Sequence, residues 1–235
     1  MPEKFLVITG ASRGIGLATA TLFQKHDYRV INLSRSQPPI EGVDHLAVDL
    51  GEPDACEVIA DALLAKLANA EQVCLLHNAA LLQKDHSTDI KAASLQQALQ
   101  LNVIAASQLN RLLLPVMPRG SSIVYVGSTL AEKAVANSLS YVTSKHAQLG
   151  MMRANCQDLA GRGIHTVCVC PGFTATEMLS EHVGNDPEVL NAIAGGVSFN
   201  RLIEPQEIAQ TLLFAATHPV LNGAVVHVNL GQIEQ

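Results

Sequence analysis

The chain has 235 residues, 48% of them hydrophobic and only 15% charged, with a formal net charge of −6. That length predicts a single domain over residues 1–235 with a sizeable core, and the apolar, charge-poor composition suits a buried parallel sheet rather than a disordered chain. The acidic balance and the lack of any Lys/Arg block argue against nucleic acid or an anionic membrane surface as partner. No apolar run approaches the ~18 residues needed to span a bilayer. The opening MPEKFLVITG is too short a run for a secretory signal, so a soluble, cytoplasmic protein is expected. Five cysteines (Cys56, Cys74, Cys156, Cys168 and Cys170) lie mostly inside apolar runs with no C-x-x-C pair, which predicts core packing rather than disulfides or metal. The nine histidines include no H-x-x-x-H pair, so no metal site is expected.

Residues 4–9 (KFLVIT) read as a buried strand. Gly10-Ala-Ser-Arg-Gly14-Ile-Gly16 follows, and helical periodicity then runs over 17–25. Strand, glycine turn and helix together make a phosphate cradle: Gly10, Gly14 and Gly16 let backbone approach, and the helix N-terminus favours an anion. A second strand at 28–33 ends in Ser34-Arg35. A carboxylate there would favour the free ribose hydroxyls of NAD(H). The small Ser34 and the charged fork of Arg35 instead predict a 2′-phosphate and hence NADP(H), with NAD(H) as the lesser alternative. Arg13, inside the turn, is placed to stack on adenine or add a second positive charge.

A third strand at 43–48 closes on Asp49-Leu50. Asp49 is a candidate for the adenine amino group, for capping a helix at 53–69, or for both. The fourth strand, 72–77, ends in Asn78-Ala79-Ala80, small residues that leave space for a ligand across the sheet. A helix at 94–117 carries Asn102 on an apolar background, where a buried amide must find partners. The apolar run at 123–126 ends in Gly127-Ser128 and leads to a helix reaching about residue 160. A sixth strand at 164–170 is broken by Pro171-Gly172. Residues 173–200 are too long for an ordinary connection and read as a mobile substrate lid with short helices of its own. A helix at 205–217 and a seventh strand at 224–228 complete the alternation, which predicts an α/β doubly wound parallel sheet.

The chemistry is expected between Ser128 and Lys145. Tyr141 and Lys145 are four apart and so neighbours on one helix face. A free phenol titrates near ~10, and bringing it to ~7 needs about 4 kcal/mol. A fixed ammonium ~4 Å away supplies a similar amount at an effective dielectric of ~20. The spacing therefore suits a proton relay in which Lys145 lowers the Tyr141 pKa. A surface Tyr/Lys pair would look the same, and what separates the two is the company the pair keeps.

Thr9-Gly10-Ala-Ser-Arg-Gly14-Ile-Gly16, Asn78-Ala79, Asn102, Ser128, Tyr141-x-x-x-Lys145 and Pro171-Gly172 occur in order on the expected elements. With them the chain resembles the short-chain dehydrogenase/reductase family over essentially its whole length. It is similar to the shorter single-domain branch that holds 3-oxoacyl-carrier-protein reductases. The resemblance implies a Rossmann fold of seven parallel strands with helices on both faces. It implies that Tyr141 exchanges the substrate proton while Lys145 holds the nicotinamide ribose. Ser128 would then bind the substrate oxygen, and Asn102 would help anchor a water linked to Lys145. It implies cofactor contacts from Gly10, Ser12, Arg13, Gly14, Ile15, Gly16, Ser34, Arg35, Asp49, Leu50, Asn78, Ala79, Pro171, Gly172, Thr174 and Thr176. Ala80 departs from the Gly of many relatives, which puts it in doubt as a contact.

The implied activity is hydride transfer between NADP(H) and a ketone or aldehyde, or the secondary alcohol. Phe173, Met178, Leu179, Val183 and Leu190, with Leu130 and Val135, predict a mainly apolar pocket. Acyl-thioester reduction and a diketone or pteridine reductase similar to sepiapterin reductase are the enzymatic alternatives. Glu177, Glu181, Asp186 and Glu188, without Lys or Arg between 173 and 200, would repel an acidic carrier protein, although Arg119 and Arg162 offer it a basic docking point. A non-catalytic dinucleotide sensor or scaffold is the other class. The resemblance also implies a homotetramer (or dimer) packed through the helices that begin near Ser94 and Tyr141, where Ala105, Ala106, Ala147, Gly150 and Met151 are small or apolar; core packing explains these residues equally well.

Overall fold

The computed structural model describes residues 3–233. Its sheet has seven strands, all parallel, in the order β3-β2-β1-β4-β5-β6-β7. The strands are β1 (Lys4–Thr9), β2 (Tyr28–Ser34), β3 (Asp44–Ala47), β4 (Gln72–His77), β5 (Ser122–Val126), β6 (His165–Pro171) and β7 (Val225–Val228). The helices between them are α1 (Gly14–Lys25), α2 (Ala55–Lys66), α3 (Ala92–Leu99), α4 (Ala105–Leu113), α5 (Leu139–Asp158), α6 (Glu177–His182), α7 (Pro187–Gly195) and α8 (Pro205–Thr217).

Both faces of the sheet are covered, and β1 shows how. Phe5 and Val7 enter the core shared with Ile59 and Leu63 of α2, Leu109 of α4 and Met152 of α5. Leu6 and Ile8 point the other way, toward Ala20 and Phe23 of α1 and Leu212 of α8. An unbroken apolar strand is what burial on two faces requires. The chain winds outward through β3 and then returns to place β4 beside β1. The carboxyl ends of β1 and β4 therefore part at a switch point, where open α/β sheets bind ligands.

Several boundaries differ from expectation, each for a local reason. The third strand is only Asp44–Ala47, a short edge strand that is half-exposed. The helix expected from residue 53 starts at Ala55, because Asp49 Oδ1 accepts from Gly51 N and closes a turn instead of capping it. Pro171 does not break the sixth strand before it but belongs to it as its last residue, opposite Val228, where a missing N–H is tolerated. The largest difference is in the helix expected at 94–117. It is interrupted by a π-turn, Gln100–Ile104, with Asn102 at its centre. Of the residues expected at an interface, Ala105 and Ala106 are consumed by this chain's own core, whereas Gly150 opens to solvent.

Candidate active site

Every candidate residue lies at or near the carboxyl edge of the sheet. The glycine turn between β1 and α1 uses positive φ at Gly10 (72°) and Gly14 (55°), which favours glycine. A Cβ on Gly16 would fall 2.1 Å from the Gly10 carbonyl oxygen, so only glycine lets the helix sit this close to the strand. Arg13 occupies the N-cap of α1 in extended backbone without a side-chain cap, which leaves the first amides of the helix facing outward. Ser12 and Ile15 ride on this turn. Asn32, buried on β2, accepts from Ala11 N at 2.9 Å and holds the turn's flank. Asn78 clamps the other side, donating from Nδ2 to the carbonyls of Thr9 and Gly10 at 3.0 and 2.9 Å. Thr9 Oγ1 accepts from Asn78 N and Ala79 N. These contacts make a rigid cradle bounded by backbone, the shape a dinucleotide pyrophosphate needs.

Past β2, the Ser34 hydroxyl accepts from Asn32 and donates to the Ser36 carbonyl. Arg35 is 79% exposed, with its NH1 3.8 Å from Asp49 Oδ2. The Leu50 side chain turns into the core beside α2. On the opposite rim, Gly172 N donates to Val228 O, and Thr174 Oγ1 donates back to Gly172 O. Thr176 caps α6 by accepting from Leu179 N, and its Cγ2 lies 3.3 Å from where a Gly14 Cβ would be. The loop at 171–176 thus lies against the glycine turn. Arg13 is not free at this edge: its NH1 pairs with Glu181 Oε1 of α6 at 2.7 Å.

The reactive floor is built from α5, the end of β5 and the π-turn. Tyr141, Lys145 and Asn102 are all buried. Ser128 accepts from Leu130 N, and its hydroxyl stands close enough to the Tyr141 phenol to favour the ionised form. Asn102 donates from Nδ2 to Ser144 Oγ (2.8 Å) and Leu81 O (3.1 Å), while its Oδ1 accepts from Leu81 N (2.7 Å). Its amide is spent on fixing α5 and the loop after β4. Asp85, in that same loop, accepts from Ser140 N at 3.0 Å and from the Ser140 hydroxyl, and so caps the first turn of α5 from outside.

Electrostatically the floor departs from the expected relay. Burial pushes the Tyr141 phenol up to about 12, and the nearby Ser128 hydroxyl pulls back only part of the way. Burial likewise draws the Lys145 ammonium down to about 8, with the Cys168 and Cys170 thiols opposing. Lys145 Nζ lies 5.5 Å from the Tyr141 ring centroid, but it donates to Val126 O and to Gln148 Oε1. The expected depression of the phenol by the ammonium is therefore not a property of the resting site, where loss of water dominates. Gln148, Ser144 and Asp85 escaped the sequence reading. A buried polar residue three positions after Lys145 was the available signal for Gln148.

Residues 173–200 form α6 and α7, neither of which contains a buried residue. Partial burial, with the charge of Lys84, holds His182 below its ordinary value. A groove of about 1250 Å³ runs between α1 and this segment, lined by Gly14, Thr176, Glu181 and Leu190. Tyr141 does not line it, so it is not the reaction pocket.

Residues 10–232 match the family profile described as enoyl-(acyl carrier protein) reductase. The chain is 28% identical over 250 residues to the uncharacterized short-chain type dehydrogenase/reductase y4mP of Sinorhizobium fredii, covering 98% of this chain and 97% of the relative. It is 27% identical over 240 residues to the 3-oxoacyl-[acyl-carrier-protein] reductase FabG of Vibrio cholerae, covering 97% and 96%. The ligand-free aldohexose dehydrogenase of Thermoplasma acidophilum superposes with a TM-score of 0.90 at 26% identity, over 98% of this chain and 94% of that one.

Proposed function

The chain belongs to the short-chain dehydrogenase/reductase family, and from that premise we propose an NADP(H)-dependent oxidoreductase that reduces a ketone or aldehyde, with Tyr141 as the proton donor. The observation that carries this is the buried Tyr141–Lys145 pair with the half-buried Ser128 beside it, next to a glycine cradle that a Cβ would fill. Gly10, Ser12, Gly14, Ile15 and Gly16 would hold the pyrophosphate. Arg35, with Arg13, would face a 2′-phosphate, and Asn78, Ala79 and the 171–176 loop would flank the nicotinamide half. A reduced nicotinamide bound there supplies hydride.

The rest is done by the chain's own side chains. Ser128 orients the carbonyl oxygen. With a phenol held at about 12, Tyr141 meets substrate fully protonated at neutral pH. Its proton then passes to an alkoxide that is the stronger base, so the transfer runs downhill. In the reverse direction the same group would take up the alcohol proton as phenolate. Residues 173–200 act as a lid that excludes water from this transfer. Assembly into a homo-oligomer through α4 and α5 belongs to the same reading: Ile104 and Val116, flanking α4, are 44% and 47% exposed.

Reduction of 3-oxoacyl thioesters is the second reading, favoured by the FabG relative; the acidic residues of the lid argue against an acidic carrier as the thioester's bearer. The test is NADPH oxidation over a panel of ketones, diketones, pteridines and acyl thioesters. Tyr141→Phe should lower kcat by on the order of 10²–10⁴-fold while NADPH still binds. A variant within tenfold of the parent on every substrate turned over would end the proposal.

A further inference from the structure

An ammonium carries three N–H donors and no acceptor. Lys145 has placed two of them, one on the Val126 carbonyl at 2.8 Å and one on Gln148 Oε1 at 2.9 Å. Gln148 follows three residues later on the same face of α5 and is 1% exposed. Its Nε2 donates at 2.6 Å to the Asn102 carbonyl, inside the π-turn. A π-turn interrupts the regular helical ladder, and here a side chain from another helix enters at the interruption. Only one orientation of the amide satisfies both neighbours. The ammonium offers donors alone and the carbonyl lone pairs alone, so the amide oxygen must face Lys145 and its nitrogen must face Asn102. Leu reproduces neither end, and Glu reproduces only the first.

We infer that Gln148 is a positioning residue for Lys145: its amide ties the ammonium to the Asn102 carbonyl and leaves the third N–H for the Tyr141 side of the site. Lys145 and Asn102, the two residues expected to be linked through a water, are also bridged directly by this side chain of fixed polarity. This rests on the reading of Tyr141 and Lys145 as the reactive pair. Around Lys145 stand the Cys168 and Cys170 thiols of β6, Tyr141 on its own helix, and the Val126 and Asn102 carbonyls. No salt bridge holds Lys145 among the described residues. The Gln148 oxygen is therefore the one side-chain acceptor hydrogen-bonded to this cation. Gln148 and Asn102, with Thr9 and His77, also line a cavity of about 10 Å³, room for roughly one water. Shortening Gln148 to Ala enlarges a mostly apolar space that Thr9, His77 and Asn102 still edge with polar atoms, whereas Leu fills it with methyl groups.

The test reads Lys145 directly in the cofactor-free protein, by NMR titration of ¹⁵N-labelled lysine side chains, with the signal assigned from a Lys145→Arg spectrum. Gln148→Glu should raise the Lys145 titration by about one unit or more, and Gln148→Leu should lower it by a similar amount. Gln148→Ala should fall between Leu and the parent, as water returns an acceptor. In turnover, the alkaline limb of the kcat profile should move in the same order while the KM for NADPH changes little. A Lys145 signal that titrates unchanged in Gln148→Glu overturns the inference, even if the Leu variant fails to fold. If the signal moves as expected while Tyr141→Phe stays active, the tie stands and the proposed chemistry fails.

Discussion

The floor and the rim of this site are built on opposite principles. On the floor, Asn102 and Lys145 are 0% and 1% exposed, and Asn102, Lys145 and Gln148 each hydrogen-bond a different element. On the rim, Arg13 and Glu181 are 54% and 58% exposed, Arg35 is 79% exposed, and α6 and α7 contain no buried residue. Proton transfer tolerates little misplacement, so its groups sit where packing over-determines them. Cofactor and substrate must enter and leave, so their charged contacts sit where rearrangement is cheap. The contrast predicts that floor variants lose stability and rim variants change affinity.

The largest effect is expected from Asn102→Ala. It takes their side-chain partner from the part-buried Leu81 N and Leu81 O and the donor from Ser144 Oγ, which keeps its bond to Tyr141 O, and a buried group left unpaired costs about 1–3 kcal/mol. A loss of about 4 kcal/mol in urea unfolding is expected, and a loss under 1 kcal/mol would show that the π-turn is not held by this amide. Next comes His77, which lines the same small cavity and hydrogen-bonds Asn110. Burial holds its folded pKa at about 4, against an ordinary 6.5. Between those values the unfolded chain binds the proton and the folded chain does not, so stability falls as pH drops from 6.5 to 4. About 3 kcal/mol should be lost across that window. His77→Gln should flatten the slope; an unchanged slope would assign acid sensitivity to other groups.

What the sequence disclosed follows the same division. The glycine turn, the strand–helix alternation and the Tyr141/Lys145 spacing are patterns of near neighbours, and periodicity reports them. The π-turn is not, because it depends on Gln148 reaching Asn102 from 46 residues away. The capping of α5 by Asp85 spans 55 residues and carries no local signature either. Arg13 could be read as a cation near the cofactor, yet its pairing with Glu181, 168 residues later, required the chain's path. The raised phenol is the instructive failure. Spacing reported an ammonium four residues off but was silent about the water that burial removes, and that second quantity sets the sign.

On the rim, Arg35→Asp should leave the melting temperature within about 2 °C, as exposed sites do. It should weaken NADPH by at least ~tenfold, the value of one lost charge-assisted contact, while NADH binding holds or improves. Equal loss of both dinucleotides would remove the 2′-phosphate assignment.

The smallest effect is expected from Glu181→Gln, and it tests the rim most directly. The Arg13–Glu181 pair is open to solvent and worth about 0–1 kcal/mol. If Arg13 must leave Glu181 to meet an anionic cofactor, removing the carboxylate should tighten NADPH by up to ~fivefold at low ionic strength. The gain should shrink as salt rises toward 1 M, where the screening length falls to about 3 Å. NADH, with one phosphate fewer, should gain less. A tightening that ignores salt, or that is equal for both dinucleotides, would place Arg13 out of reach of the 2′-phosphate and leave Glu181 as a tether of α6 alone.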